Sequence, residues 1–454
     1  MKTSALRRIA LATGCAALTA GVLPATAHAD GTTVERKLLP VLVEFTDSSF
    51  QSPEDVKAGT PDSYFGSGKD SLASFFSEVS RGRYALVPAV DEQYVGPVEL
   101  PMTAAGCDHN KINNLTQEAL ADQGLVRGED YESLSITFPA QKTGCDWAGL
   151  GKVPGPYTWI NLYGTGSGLG VLAHEFGHNL GLGHQERSMC ADGDLVDCEA
   201  NGTSAKSVMG GGGTAAGFSA PEMIRAGWLS GSEAVEVTAS GTYTLRSLHG
   251  TGDGTRALDI PMGDDRLVVE YRHAAGSFDE KIEGVHAYRV PGGNYGSSSL
   301  IDLTEANRTA GNDAPADADA VVSLTDKANE VSVAVVSSGD GQARINVNLD
   351  GEDLSAAEET AGETAGETAG ETDEETAAAP APEHTGTDTD AGDGLGAGTQ
   401  AQSGDKKPVT AAEADEDLAA TGGDSSTLPL AAGGAALVVA GAAGMVVLRR
   451  RKRA

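Results

Sequence analysis

One thirteen-residue segment restricts the fold of this chain more than any other feature. Leu172 to His184 reads Leu-Ala-His-Glu-Phe-Gly-His-Asn-Leu-Gly-Leu-Gly-His, so that His174 and His178 lie four positions apart. On an α-helix both imidazoles project from one face, close enough to share a metal ion. Gly181 can take the positive φ that ends the helix and turns the chain, and His184 follows three residues later. The chain must therefore contain a helix followed by a tight turn that brings His184 back to the two helical histidines.

Three neutral imidazoles with an open fourth position are typical of a catalytic zinc site rather than a closed structural one. Glu175 follows the first histidine and would lie beside the water that such an ion activates, in the position of a general base. A lone histidine is usually a satisfied core residue, but three at these positions, with a Glu and a Gly, are not explained that way. We expect His174, His178 and His184 to bind one Zn²⁺ ion and Glu175 to be catalytic.

The same residues resemble the signature of the metzincin metalloproteases, His-Glu-x-x-His-x-x-Gly-x-x-His followed by a Met-turn. Met209 in Ser-Val-Met-Gly lies 25 residues after His184, a suitable place for that turn. Within the clan the chain is similar to the gametolysin family over roughly residues 38–229. Besides the histidine motif, three stretches carry this similarity: Leu72 to Tyr84, Trp159 to Gly164 and Phe218 to Leu229. The resemblance implies a metzincin-like domain with a zinc-binding helix, and endopeptidase activity.

The apolar pattern before residue 230 alternates between strand and helix periods. This order predicts an α/β or α+β domain over residues 30–230, and the metzincin resemblance implies the α+β form with a mixed sheet. The predicted strands are Leu38 to Phe45, Tyr84 to Val90, Ser133 to Phe138 and Tyr157 to Tyr163, and the predicted helices are Leu72 to Val79 and Ile112 to Leu120.

After Trp228 the pattern changes to short alternating runs bounded by Gly, Asp and Asn. Short strands at this density are typical of an antiparallel sandwich, so we expect an all-β, sandwich-like domain over residues 231–350. It contains no catalytic constellation, which favours a packing or binding module. The predicted strands are Ala234 to Val237, Tyr243 to Leu248, Arg256 to Ile260, Leu267 to Tyr271, Val285 to Val290, Val331 to Val336 and Ile345 to Leu349.

The acidic composition excludes nucleic acid as a partner. The chain of 454 residues contains 65 Asp and Glu against 32 Lys and Arg, a formal net charge of −33. Nucleic-acid binding requires a basic surface to contact phosphates. Residues 351–417 hold 19 acidic and 2 basic residues and repeat Glu-Thr-Ala-Gly from Glu359. With few large apolar side chains this segment cannot offset its ordering entropy, so we expect a disordered acidic stalk.

The first residues have the parts of a secretory signal peptide. Basic residues precede an apolar run from Ile9 to Val22, and Ala27-His28-Ala29 forms a small-x-small cleavage site. We expect signal peptidase to remove residues 1–29, because the apolar run is too short for a retained membrane anchor. The mature chain would then work outside the membrane.

The C-terminal residues 418–454 resemble a cell-wall sorting signal. Leu418-Ala419-Ala420-Thr421-Gly422 precedes an uncharged stretch, residues 428–448, that is long enough to span a membrane, and a basic tail follows it. The pentapeptide is similar to the Leu-Ala-x-Thr-Gly variant of sortase substrates. That resemblance implies cleavage between Thr421 and Gly422 and attachment of Thr421 to cell-wall peptidoglycan. A plain single-pass anchor is the alternative.

Four cysteines remain once the signal peptide is removed, an even number in an oxidising compartment. We favour a disulfide between Cys107 and Cys145. The other pair, Cys190 and Cys198, would then close a short loop. A tetrathiolate zinc site is the alternative, although the usual Cys-x2-Cys spacing is missing. Three carboxylates in the short loop could bind Ca²⁺ or form a solvated acidic surface: Asp192, Asp194 and Asp197.

Together these features predict a secreted zinc endopeptidase, anchored at the cell wall, that hydrolyses extracellular proteins with Glu175 as general base. Its partners would be peptide or protein substrates, signal peptidase, a sortase and peptidoglycan. Two alternatives remain open at this point. One is a zinc amidase or peptidase acting on peptidoglycan, and the other is a surface adhesin with an idle protease domain.

Overall fold

The computed structural model describes residues 32–166, 168–190, 193–196, 198–303, 323–352, 354 and 418–422. The predicted signal peptide (1–29), membrane span (428–448) and basic tail lie outside the described residues, as does all of the predicted stalk except residues 351, 352 and 354. Within the described part of the chain, no helix has the length and apolar character needed to cross a membrane.

The first part of the chain mixes strands and helices, in agreement with the predicted α+β pattern. Its strands are β1 (Val34–Phe45), β2 (Tyr84–Pro88), β3 (Val95–Leu100), β4 (Ser133–Pro139), β5 (Trp147–Lys152), β6 (Tyr157–Leu162), β7 (Glu186–Met189) and β8 (Glu199–Thr203). Its helices are α1 (Pro53–Phe65), α2 (Leu72–Val79), α3 (His109–Ala121), α4 (Leu169–Asn179) and α5 (Ala220–Arg225).

The second part consists of strands. They are β9 (Ala234–Glu236), β10 (Gly241–Arg246), β11 (Ala257–Met262), β12 (Asp265–Arg272), β13 (Gly284–Val290), β14 (Ser299–Asp302), β15 (Ser323–Asp326), β16 (Val331–Gly339) and β17 (Gln342–Asn348). A further strand, β18 (Leu418–Gly422), comes much later in the chain. Each strand and helix predicted from the apolar pattern overlaps an observed element of the same type.

The first sheet has the strand order β18-β5-β6-β4-β1-β2, and β3 also pairs with β1. Strands β1, β4 and β6 are parallel neighbours, whereas β5 is antiparallel to β6. Residues 38–43 of β1 are buried throughout, as expected for a strand covered on both faces. The apolar run that predicted β1 is therefore the centre of this sheet.

An aromatic cluster holds α4 against the first sheet. The Phe76 ring of α2 lies 6.3 Å from that of Phe176 in α4, 6.0 Å from that of Phe218 and 5.9 Å from that of Trp228, centroid to centroid. All four side chains belong to one buried core. Removing any of these rings from the core would cost about 3–5 kcal/mol, so the position of α4 is strongly fixed.

The second part contains two sheets that share one core. A four-stranded antiparallel sheet has the order β10-β17-β16-β15, and a seven-stranded sheet has the order β8-β7-β14-β13-β12-β11-β9. Leu245, Val333 and Ile345 of the smaller sheet lie in the same buried cluster as Val269 and Val285 of the larger one. We expected purely antiparallel sheets, and for the larger sheet this prediction was wrong. Strand β7 pairs parallel with β14, and β9 pairs parallel with β11.

Candidate metal centre

Helix α4 carries the first two predicted ligands, and its residues 172–178 are buried. Leu172, Ala173 and Phe176 face the core. Gly177 lies so close to the Met209 side chain that a Cβ added to Gly177 would lie 2.2 Å from the Sδ of Met209. Only glycine fits at that position, and the contact holds α4 directly over Met209. Met209 itself is fully buried.

The turn after α4 brings His184 back to the helix. Gly181 has φ of +85°, as the sequence predicted, and its N–H donates to the His178 carbonyl at 2.8 Å. The N–H of Leu182 donates to the Gly177 carbonyl at 3.3 Å, which completes the helix end. A side chain at position 181 would be strained by the positive φ.

The structure brings the three predicted ligands together. The ring centroids of His174 and His178 lie 4.7 Å apart, and that of His184 lies 5.1 Å and 5.2 Å from them. One ring nitrogen of each lies within 4.8 Å of the other two. Among the described residues this is the only such group of three or more His, Cys, Asp or Glu side chains. His174 and His178 are buried, and His184 is exposed.

Backbone carbonyls fix the orientation of the two buried rings. The Nδ1 of His174 lies 2.8 Å from the Val208 carbonyl, and the Nδ1 of His178 lies 2.7 Å from the Leu182 carbonyl. These contacts place the proton on Nδ1 and leave Nε2 as the lone-pair atom. The Nε2 atoms of His174 and His178 are buried and have no hydrogen-bond partner in the protein.

Burial keeps both rings neutral. It lowers the pKa of His174 to about 4 and that of His178 to about 3. A neutral imidazole is the form that binds a metal, and an all-imidazole donor set suits zinc. The residues present therefore fit a zinc ion: partnerless buried nitrogens, the right tautomer and the right protonation state.

Glu175 lies against strand β5. It is fully buried, and a Cβ added at Gly149 would lie 2.5 Å from its Cγ and 2.6 Å from its Oε1. At Gly151 an added Cβ would lie 2.6 Å from the Glu175 carbonyl oxygen and 2.8 Å from the Cβ of His178. Strand β5 can approach α4 this closely only because two alternate residues on its inner face are glycines.

Strand β5, these two glycines and Asn179 were not predicted from the sequence. The Asn179 side chain donates to the carbonyls of Lys152 (3.1 Å) and Tyr157 (2.9 Å) and accepts from the Thr158 hydroxyl at 3.0 Å. It therefore ties the end of α4 to the β5–β6 hairpin. The alternate glycines of Trp147–Lys152 were the available signal, because glycine inside a strand marks a close backbone approach. Nothing local identified the role of Asn179.

A hydrogen-bonded chain supports the segment that carries Met209. The Met209 N–H donates to the Ser207 hydroxyl oxygen at 3.0 Å, and that hydroxyl donates to Glu222 Oε2 at 2.6 Å. Glu222 also accepts the Ser219 N–H at 2.7 Å, within the capping box that begins α5. Burial raises the pKa of Glu222 to about 7.

The structure contains two disulfides, Cys107 with Cys145 and Cys190 with Cys198. These are the pairs that the sequence favoured, and with both formed the four cysteines are not free to bind zinc as thiolates. Of the carboxylates considered for Ca²⁺, Asp192 and Asp197 lie outside the described residues. The third, Asp194, accepts a hydrogen bond from Lys327 Nζ at 3.0 Å.

Residues 50–262 match the family model described as Gametolysin peptidase M11. No curated protein sequence matches. One solved structure that matches is described as "Structure of a chaperone-substrate complex", with 12% identity and a TM-score of 0.25. The match covers 41% of this chain and only 29% of that chain. Residues 50–262 therefore match the gametolysin M11 family of zinc metallopeptidases, which are hydrolases, and the histidine cluster is consistent with that match.

Proposed function

We propose that this chain is a secreted, cell-surface-anchored zinc endopeptidase that hydrolyses peptide bonds of extracellular proteins. One observation carries the proposal: three imidazoles converge with one ring nitrogen of each within 4.8 Å of the others, and a fully buried carboxylate, Glu175, follows the first of them in the helix. Such an arrangement serves hydrolysis better than structural metal binding, because a structural site needs a fourth protein ligand and no base.

In this proposal His174, His178 and His184 hold one zinc ion, which, when bound, polarises the scissile carbonyl and acidifies the attacking water. Gly181 provides the turn that returns His184. Met209 forms the apolar floor beneath the helix. The Val208 and Leu182 carbonyls hold the two buried rings in the required tautomer.

Glu175 does the proton transfer. Its carboxylate takes a proton from the attacking water and passes it to the nitrogen of the departing amine. Two neighbours restrict where it can point, since Gly149 lies against its Cγ and α4 fixes its backbone. A carboxylate held in place loses little freedom when it reacts, which supports its use as a base.

The location outside the cell is supported by the two disulfides, which are typical of oxidising compartments. We propose that signal peptidase removes residues 1–29, and that a sortase joins Thr421 to peptidoglycan after removing the span at 428–448. The acidic residues 351–417 would act as a spacer between the wall and the enzyme.

For the domain organisation we propose a peptidase domain at residues 30–230 and a β-rich domain at 231–350. The two are closely joined, because β7 and β8 of the first part complete the seven-stranded sheet of the second. The family match supports this connection, since it continues past residue 230 and ends at residue 262, the last residue of β11. The β-rich part therefore supports the peptidase part directly.

The proposal is tested with the purified zinc-loaded full chain and its Glu175→Gln variant, on casein and on peptidoglycan, with and without a chelator. Glu175→Gln should lower casein hydrolysis by about 10²- to 10⁴-fold, the usual contribution of a general base, while zinc content stays the same. The matched control is Glu118→Gln on the exposed face of α3, which should leave hydrolysis unchanged.

Each alternative has its own outcome. Release of stem peptides from peptidoglycan without casein cleavage would identify a peptidoglycan amidase, which the proposed wall location makes plausible. Retention of full activity in Glu175→Gln would contradict the assigned role of this residue. No hydrolysis of either substrate by the zinc-loaded chain would favour an adhesin.

A further inference from the structure

A segment of the same chain lies on the free edge of β5. Strand β18 pairs antiparallel with β5, with Leu418 opposite Lys152, Ala420 opposite Leu150 and Thr421 opposite Gly149. The other edge of β5 is occupied by β6. Residues 418–422 therefore extend the first sheet by one strand, as an added peptide does at an exposed sheet edge.

This added strand runs past the catalytic carboxylate. Thr421 stands opposite Gly149, the residue whose Cβ, if added, would lie 2.5 Å from the Cγ of Glu175. Cα atoms of β18 also lie within 8 Å of those of α4. A substrate peptide extended along β5 next to Glu175 would need the same backbone donors and acceptors of β5. The segment and a substrate cannot occupy that edge together.

We propose that Leu418–Gly422 is an intramolecular ligand of the peptidase cleft that competes with substrate until it is withdrawn. The proposal rests on the peptidase function proposed above. Because these five residues are also the predicted sorting pentapeptide, docking hides the Thr421–Gly422 bond from a sortase. Wall attachment and opening of the cleft would then occur together.

The length of chain between the β-rich part and Leu418 allows this docking. Sixty-three residues, 355–417, separate the last described residue of the β-rich part from Leu418. An extended chain covers up to about 3.3–3.6 Å per residue, so this length spans far more than the molecule requires. Because the segment belongs to the same chain, its effective concentration at β5 would be up to the order of millimolar. Even weak backbone pairing would then be well populated.

The test replaces backbone donors within the segment. In the zinc-loaded full chain, Ala419→Pro with Ala420→Pro removes two N–H groups from β18 and disfavours pairing. The matched control is Ala411→Pro with Ala412→Pro, which makes the same change just outside the segment. We expect the KM for a casein-derived peptide to fall on the order of tenfold in the first variant, with kcat unchanged, as for loss of a tethered competitor.

Hydrogen exchange gives a second readout that does not depend on activity. Backbone amides of residues 147–152 should exchange faster in the Ala419→Pro, Ala420→Pro chain than in the control chain. If no chain hydrolyses peptide, the proposed function fails, and exchange alone then decides whether the segment docks. The proposal would be overturned if the amides of residues 147–152 exchanged equally fast in both variants. It would also be overturned if they exchanged faster in the Ala419→Pro, Ala420→Pro chain while the two variants had equal KM. Mass spectrometry should show residues 418–422 intact, because a cut there by the chain's own activity would make the segment a substrate instead.

Discussion

Two clusters of mostly buried polar side chains contact the segment that carries Met209, and they differ in how their polar atoms are satisfied. The metal-centre cluster consists of His174, His178, His184 and Glu175. The arginine cluster consists of Arg272, Glu270, Asp279 and His249. His174 contacts the Val208 carbonyl, and Arg272 Nη1 donates to the Lys206 carbonyl at 3.0 Å.

In the arginine cluster the partners come from the protein itself. Arg272 donates to Glu270 and to Asp279, each at 3.0 Å. Glu270 also accepts from the Tyr288 hydroxyl at 2.8 Å and from the Ala220 N–H at 2.6 Å. The Nδ1 of His249 lies 2.8 Å from Asp279, and its Nε2 lies 3.0 Å from the Phe218 carbonyl.

The comparison of His178 with His249 shows what the difference means. Both are buried, and both have a protein partner at Nδ1, yet only His249 has a protein partner at Nε2 as well. A buried polar atom without a partner is costly, and the partnerless nitrogens of His174 and His178 lie together with His184, where one metal ion would satisfy them. The metal-centre cluster is built for an ion, whereas the arginine cluster joins the β-rich part to the Met209 segment.

The largest expected effect is on zinc content. His178→Ala removes one of three donors and should yield a protein without stoichiometric zinc and without peptidase activity, since the remaining two imidazoles cannot complete the site. His249→Ala changes the same residue type in the arginine cluster. It should keep one zinc per chain and lose about 1–3 kcal/mol of stability, because Asp279 and the Phe218 carbonyl lose a partner. Atomic absorption after dialysis and chemical denaturation measure the two quantities.

The distinction between the two clusters would be wrong if His249→Ala released zinc from a folded chain, because the arginine cluster would then be part of the metal centre. The distinction would also be wrong if His178→Ala kept its zinc.

The next effect is on stability. Arg272→Met leaves Glu270 and Asp279 buried without their cation, and we expect a loss of about 3–5 kcal/mol in unfolding free energy. The matched control is Arg36→Met, which removes a half-exposed ion pair with Glu132 (2.9 Å) and should cost at most about 1 kcal/mol. Denaturant titration of both variants measures the difference. Equal losses in the two variants would show that the arginine cluster contributes no more than a surface pair.

Of the metal centre, the sequence predicts what is local. Ligand spacing along one helix, the base beside the first ligand and the glycine at the turn are all set by backbone periodicity and φ, so they can be read from consecutive residues. The partners of the two rings at Nδ1 are backbone carbonyls, which any residue supplies. Val208 and Leu182 therefore have no sequence signal.

Of the fold, elements with a regular apolar period were predicted, and the elements whose period is interrupted or absent were not. Strand β5 contains two glycines in six residues and shows no alternating apolar pattern. Helix α1 buries Val56, Thr60 and Tyr64 at helical spacing, but Gly59 and Pro61 within it hide that period. The parallel pairing of β7 with β14 joins residues more than a hundred positions apart, and tertiary packing decides such a pairing.

The last effect depends on pH and concerns Glu222, which lies between the two clusters. Its carboxylate accepts from Ser207 on the Met209 side, and Glu270 of the arginine cluster helps burial to raise its pKa to about 7, from an ordinary value of 4.5. The folded state therefore holds a proton that the unfolded state has lost between these two values. Unfolding free energy should decrease with rising pH in that window, by about 1.4 kcal/mol per unit. Glu222→Gln keeps the acceptor for Ser207 and removes the titration. The variant and the natural chain should therefore have nearly equal unfolding free energies at pH 4.5, and the variant should have the higher one at pH 7.5. Denaturant titrations of both proteins across this range measure the difference, and a difference that does not change with pH would mean that Glu222 ionises as readily in the folded chain as in the unfolded one.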